Sequence, residues 1–202
     1  MCDTDRKSGR YDLLKLIKSF PLDKIQLEKL VHSDIAKESW HILFSSTEKM
    51  RTTINSPKSQ LLKYFESEKY KNQDIIQKIT VEQALSEMNV IQISLAYETE
   101  EIANNYAKRI NNEFEGAFLA NMNLNCIDIC AKGINKAQGV KELLNLQKDK
   151  CFEQVLTIGD AQNDVPMIKE FEGYSLNSAT MHAKNVATKL YDSVGEMLLD
   201  NM

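Results

Sequence analysis

Val155-Leu156-Thr157-Ile158-Gly159-Asp160-Ala161-Gln162-Asn163-Asp164-Val165-Pro166-Met167-Ile168 is the stretch that decides the fold. Its opening apolar run predicts a buried strand over 155–158. Gly159 ends the run, and with no Cβ there the backbone can turn sharply. Asp160, Asn163 and Asp164 then crowd into one turn. Pro166 stands near the start of the following apolar-periodic segment, where a helix loses least from a missing N–H. Two carboxylates and an amide are thereby set at the carboxyl end of a parallel-type strand, the place where open α/β sheets hold ligands. Oxygen-only ligands in a tight loop suit a hard cation such as Mg²⁺ rather than zinc. Asp and Asn also gather in turns simply because they cap helices and make Asx-turns. The reading as a site therefore leans on what lies upstream.

Upstream runs Cys126-Ile127-Asp128-Ile129-Cys130-Ala131-Lys132-Gly133-Ile134-Asn135-Lys136-Ala137-Gln138-Gly139-Val140-Lys141-Glu142-Leu143-Leu144. An alternating strand leads into a glycine-containing turn, then Lys136, then an amphipathic helix. Together the two stretches resemble the haloacid-dehalogenase-like phosphatases, in the Cof-type branch with a large α/β cap. In that family the lysine of a Gly-x-x-Lys turn is the third motif, matched by Gly133 and Lys136. Gly-Asp-x-x-Asn-Asp is the fourth, matched by Gly159, Asp160, Asn163 and Asp164. The likeness continues through Gly173-Tyr174-Ser175-Leu176-Asn177-Ser178-Ala179 and Ala183-Lys184-Asn185-Val186-Ala187. The close match spans residues 126–190; before that it is one of layout.

The resemblance implies an α/β fold, with a partial doubly wound parallel core and an inserted α+β cap. It also implies a Mg²⁺-dependent phosphatase of small phosphorylated metabolites such as sugar phosphates, working through an aspartyl-phosphate. A phosphate monoester dianion repels nucleophiles, so a cation and an ammonium must neutralise it. By the resemblance Asp160 binds Mg²⁺ directly, and Asp164 holds a metal-bound water or orients Lys136. Asn163 donates its amide to a phosphoryl oxygen, and Lys136 balances the charge on phosphate and nucleophile. Lysines are mostly solvated surface residues, which is the plain alternative for Lys136. Lys132 reads as surface. His32, His41 and His182 have no ligand spacing to one another and read as structural or exposed.

The family's first motif, Asp-x-Asp-x-Thr after an apolar strand, has only a partial counterpart. Asp3 and Asp5 have the spacing, but Lys7 stands in the Thr position and the surrounding Cys2-to-Ser8 segment is polar, as in a frayed terminus. Ser8-Gly9-Arg10 looks like the second motif, whose hydroxyl binds a phosphoryl oxygen. Ser8 reads equally well as the N-cap of a helix carrying Leu13, Leu14, Leu16 and Ile17. That helix is expected to stop near Phe20-Pro21. Two function classes follow: an active phosphatase whose nucleophile is not evident in this chain, or a truncated, catalytically inactive relative that at most binds metal or phosphate. An upstream apolar run ending in Asp-x-Asp-x-Thr in the gene would favour the first. The chain as it stands is expected to hydrolyse aryl phosphates poorly or not at all.

The expected organisation is 1–31 as a remnant of the first half of the core, 32–130 as the cap and 131–202 as the second half. At the end of the first segment Leu22 to Val31 shows a weak helical pattern, and within the middle segment Trp40 to Ser45 reads as a strand able to pair with the Thr-rich 51–54. A helix from Lys58 to about Lys69, another over Val81 to Met88, and an alternating strand from Val90 to Ala96 follow. Thr99 caps a helix with Glu100 and Glu101 in its first turn and Ile102, Tyr106 and Ile110 as its buried stripe. Gly116 to Ala120 and Cys126 to Cys130 form an antiparallel pair through a 121–125 loop. Beyond Lys189 the chain runs almost directly into Val194-Gly195-Glu196-Met197-Leu198-Leu199, leaving little room for a further strand.

Composition sets outer limits. The chain has 202 residues, 43% hydrophobic and 27% charged, as ordinary globular proteins do. A net charge of −4 with no basic block argues against nucleic acid as a partner. No apolar run approaches a membrane span, and no signal peptide opens the chain. The cysteines have no C-x-x-C spacing. Cys126 and Cys130 share a strand face too far apart to bridge, so they are expected to be buried free thiols in a reducing, cytoplasmic setting.

Overall fold

Alternating apolar residues through the middle of the chain produce one sheet, and the parallel-type strands near its end produce another. The computed structural model describes residues 18–66, 76–147, 152 and 154–201. The first part runs α1 (Lys24–Val31), α2 (Asp34–Lys37), β1 (His41–Ser45), β2 (Met50–Ile54), α3 (Gln60–Glu66) and β3 (Ile76–Lys78). It continues with α4 (Val81–Glu87), β4 (Gln92–Ala96), α5 (Glu100–Glu113), β5 (Phe118–Asn123) and β6 (Cys126–Ala131). The last part is α6 (Lys136–Leu146), β7 (Ile158–Gly159), a 3₁₀ turn at Gln162–Asp164, and α7 (Val165–Glu170). It closes with β8 (Tyr174–Leu176), α8 (Met181–Lys184), β9 (Leu190–Tyr191) and α9 (Val194–Asn201).

Among the described residues, six strands form a sheet in the order β3-β2-β1-β4-β6-β5, antiparallel except for the parallel β2–β3 pair. Its core is the face carrying Ile42, Phe44, Ile93, Leu95, Ile127 and Ile129, all nearly fully buried. Period-two alternation puts these residues on one side because neighbouring strands are in register, as with Ile93 opposite Ile129. Helix α5 lies on that face through Ala103, Ala107 and Ile110. The expected stripe was Ile102, Tyr106 and Ile110, but Ile102 is 37% exposed. The small Cβ of alanine brings the helix closer to the sheet, and the larger Tyr106 leans to the side, stacked on Tyr97 at 5.0 Å between ring centres. Cys126 and Cys130 are free and share the opposite face, half-buried rather than fully so.

The segment before residue 32 had been set apart on sequence, yet Leu22, Leu27, Leu30 and Val31 are buried in this same core. Leu22 N donates to Val90 O at 2.8 Å, fixing the entry to α1. Just before it, Lys18 Nζ reaches Glu142 Oε2 on α6 at 2.6 Å. The expected helix over 13–17 lies outside the described residues, as do Asp3, Asp5, Ser8 and 67–69. Strand β5 continues to Asn123, so only Leu124 and Asn125 turn the hairpin where a longer loop was expected.

The second sheet is β7-β8-β9, parallel throughout. The buried strand expected over 155–158 is shorter, starting at Ile158, and sits at the sheet's edge among the described residues. Its ladder begins only where Thr157 O accepts from Tyr174 N at 2.8 Å, because β8 itself starts there, immediately after Gly173. Gly173 makes this close approach possible: a Cβ on it would fall 2.1 Å from Thr157 Oγ1. Ser175, fully buried, adds a bond from its hydroxyl to Gly159 O at 2.7 Å. A short strand, β9, does occupy the region after Lys189, where little room for one was expected. The fold is thus mixed α/β, with a parallel layer whose strand ends carry the acidic turn.

Candidate functional site

The acidic turn is organised by the side chain of Asp164. Asp164 Oδ2 accepts from the backbone N–H of Asp160 at 2.9 Å and of Ala161 at 3.1 Å. Its Oδ1 takes the ammonium of Lys136. The carboxylate is 3% exposed. Burial pushes its pKa up, but the Lys136 hydrogen bond and the two backbone N–H groups outweigh burial and hold it below the usual carboxylate range. Gly159 is the last residue of β7, as expected, and it also leaves space. A Cβ there would stand 2.3 Å from Asp164 Cβ.

Lys136 is the first residue of α6, started by Asn135, whose Oδ1 accepts from Gln138 N at 3.0 Å. Its side chain is half-exposed, so one face of the ammonium meets Asp164 and the other is open to solvent. Asp160 is exposed at the end of β7. Its carbonyl accepts from Thr180 N at 2.9 Å and Thr180 Oγ1 at 3.2 Å, which ties the strand end to the start of α8. Asn163 is exposed on the 3₁₀ turn. Lys136, Asp160 and Asp164 thus meet around one turn.

Asn163 faces a cleft of about 610 Å³ between the two layers. One wall is the start of α5, with Glu100, Glu101 and Asn104, and the β5–β6 turn with Asn123 and Leu124. The other is Gln162, Asn163, Thr180 and His182. The volume lies in the usual range for a small-molecule site. Thr180 and His182 were not picked out by sequence as site residues. The one available signal was Thr180 standing before Met181-His182-Ala183-Lys184 as a helix-starting residue. His41, by contrast, is buried, bonded to Ser59 Oγ at 2.9 Å, and pushed by burial to a pKa of about 4.

The donor set is all oxygen at Asp160 and Asp164, with an ammonium alongside. Among the described residues no three His, Cys, Asp or Glu side chains gather as a closed cage. Mg²⁺ does not need one, since it keeps several waters and takes one or two carboxylates plus phosphate oxygens. The residues present fit such an ion.

The haloacid dehalogenase-like hydrolase family profile, Hydrolase_3, matches residues 14–196. The chain belongs to the haloacid dehalogenase-like hydrolases. Solved structures agree on the fold of this family member. A haloacid dehalogenase-like hydrolase from Bacteroides thetaiotaomicron superposes with a TM-score of 0.68 at 18% identity, covering 93% of this chain and 70% of that one. SMU.1108c from Streptococcus mutans gives 0.69 at 18% identity, covering 92% and 70%. The subclass IIB sugar phosphatase BT4131 gives 0.68 at 16%, covering 90% and 68%. At such identities the likeness speaks for the fold alone. No curated protein matches.

Proposed function

We propose that this hydrolase acts on phosphate monoesters of small metabolites, sugar phosphates among them, with Mg²⁺ as its metal. The six-stranded layer serves as the cap over the phosphoryl site, and the layer of β7, β8 and β9 carries the charges. The observation that carries the reading is the turn built by Asp164. A single carboxylate fixes two backbone N–H groups and a lysine ammonium, and so holds Lys136 against the turn that carries Asp160 and Asn163.

The chemistry follows from charge. Bound Mg²⁺ supplies positive charge at the phosphoryl oxygens. Asp160 would hold it, with Asp164 contributing through its one remaining lone pair or through a water. Lys136 neutralises phosphate charge from the solvent-facing side of its ammonium, and Asp164 keeps that ammonium in place. Asn163 donates to a phosphoryl oxygen. None of these residues is a covalent nucleophile, so the site described binds and polarises the phosphoryl group. The nucleophile in the family mechanism is a carboxylate, and Asp3 and Asp5 lie outside the described residues, as does the phosphate-binding candidate Ser8.

Thermal melts with and without Mg²⁺, on wild type and Asp160→Asn, test the reading. A ligand of the native state raises the midpoint by mass action. Wild type should gain stability from Mg²⁺ and Asp160→Asn should not; equal responses would remove Asp160 from the metal site. Aryl phosphate turnover that disappears in Asp3→Ala would make Asp3 the nucleophile. Metal and phosphate binding without turnover would leave the chain a binding protein.

A further inference from the structure

Among the described residues, two that are not glycine have positive φ: Leu124 at 55° and Glu172 at 47°. Glu172 has a local reason. It follows α7, and the N–H after it, from Gly173, donates back to Ile168 O at 2.7 Å, closing the helix end. Leu124 also sits where the chain turns, but as a residue type unsuited to it. With Asn125 it forms the two-residue turn between β5 and β6, a setting where positive φ is ordinarily met by glycine or asparagine. A leucine there holds a backbone conformation that its Cβ disfavours.

Burial does not offset that strain, because Leu124 is 73% exposed. Its side chain instead lines the cleft, on the wall that also carries Asn123 and Asn104, with Asn163 and Thr180 on the other. An unusual backbone held at a functional cleft is where strain is most often tolerated. A large apolar group among amides and carboxylates gives that cleft a mixed character.

We infer that Leu124 is a specificity-determining residue, whose isobutyl group contacts the leaving group of the phosphorylated substrate across the cleft from Asn163. The inference rests on the phosphatase reading above. The leaving group that fits has an apolar C–H face for Leu124 and hydroxyls for Asn104, Asn123 and Glu101. A ring polyol has both.

The test uses the full chain with Mg²⁺, as wild type, Leu124→Gly and Leu124→Asn. Both replacements tolerate positive φ. Dissociation constants for inorganic phosphate and for glucose 6-phosphate are measured by calorimetry, and thermal midpoints without ligand. In both variants the midpoint should hold or rise, and phosphate affinity should be unchanged. Glucose 6-phosphate should bind about tenfold more weakly, the order expected for losing a few methyl(ene) contacts. Unchanged glucose 6-phosphate affinity would overturn the assignment. So would a wild type that binds glucose 6-phosphate no better than phosphate, or a midpoint that falls in both variants, which would make Leu124 structural. If wild type binds no inorganic phosphate, the phosphatase reading itself fails, and this inference with it.

Discussion

Asp164→Asn keeps the shape of the side chain at the centre of the turn and removes its charge. The native carboxylate faces donors on every bonded side: the N–H groups of Asp160 and Ala161 on one oxygen and the Lys136 ammonium on the other. An amide has one acceptor oxygen and an NH₂ that only donates. Whichever way the new amide points, it sets donor against donor on one side. A hydrogen bond to a charged group is worth about 1.5–3 kcal/mol. Because Lys136 is 52% exposed, water recovers part of that. The expected loss is therefore about 2 kcal/mol at neutral pH.

The sign of the pH effect follows from the depressed carboxyl pKa. Burial raises it, but the Lys136 and backbone bonds more than reverse this, so the native state takes up the proton less readily than the unfolded chain. The stabilisation is complete above the unfolded pKa of about 3.9 and fades as pH falls through the lower native value. Urea unfolding of wild type and variant should thus show a level gap from about pH 7 to about pH 5, narrowing below about pH 4. A gap that is absent at neutral pH, or just as wide at about pH 3, would refute the account of the turn.

Gly159→Ala should lower stability by about 1–3 kcal/mol, since its Cβ would stand 2.3 Å from Asp164 Cβ; an unchanged thermal midpoint would show that the turn has slack. His41, held neutral by burial with a pKa of about 4, makes the unfolded state the better proton binder between that value and about 6.5. Stability should fall as pH drops through that window, and His41→Gln should flatten the slope in denaturant titrations. Thr99 Oγ1 accepts from Ile102 N at 3.2 Å at the start of α5. Thr99→Ala should cost about 1 kcal/mol, read as a midpoint lowered by about 2–4 °C.

What sequence could reveal depended on how local the cause was. Thr99 capping α5, Pro166 opening α7 and the pairing of β1 with β2 are set by neighbours along the chain, and each is found where the pattern puts it. The same holds for the meeting of Lys136 with Asp164, though there the family pattern supplied the pairing. Other features depend on distant partners. Apolar size favoured Ile102 for the buried stripe of α5, but distance to the sheet favoured Ala103 and Ala107. Gly159 read as a turn former because the space taken by Asp164 is invisible in a linear chain. The late start of the β7 ladder depends on where β8 begins, just after Gly173 packs against Thr157.

Among the described residues, the side-chain hydrogen bonds of Asp164 lie within the parallel-layer segment: Lys136 on α6 and the backbone of residues 160 and 161. The cleft, in contrast, is walled on one side by α5 and the β5–β6 turn. The charges and one wall of the cleft are therefore held by separate parts of the chain. Substitutions on α5 or on that turn can alter which molecules fit while the ammonium–carboxylate geometry stays as it is. Recognition in this scaffold can drift without disturbing the electrostatics it serves.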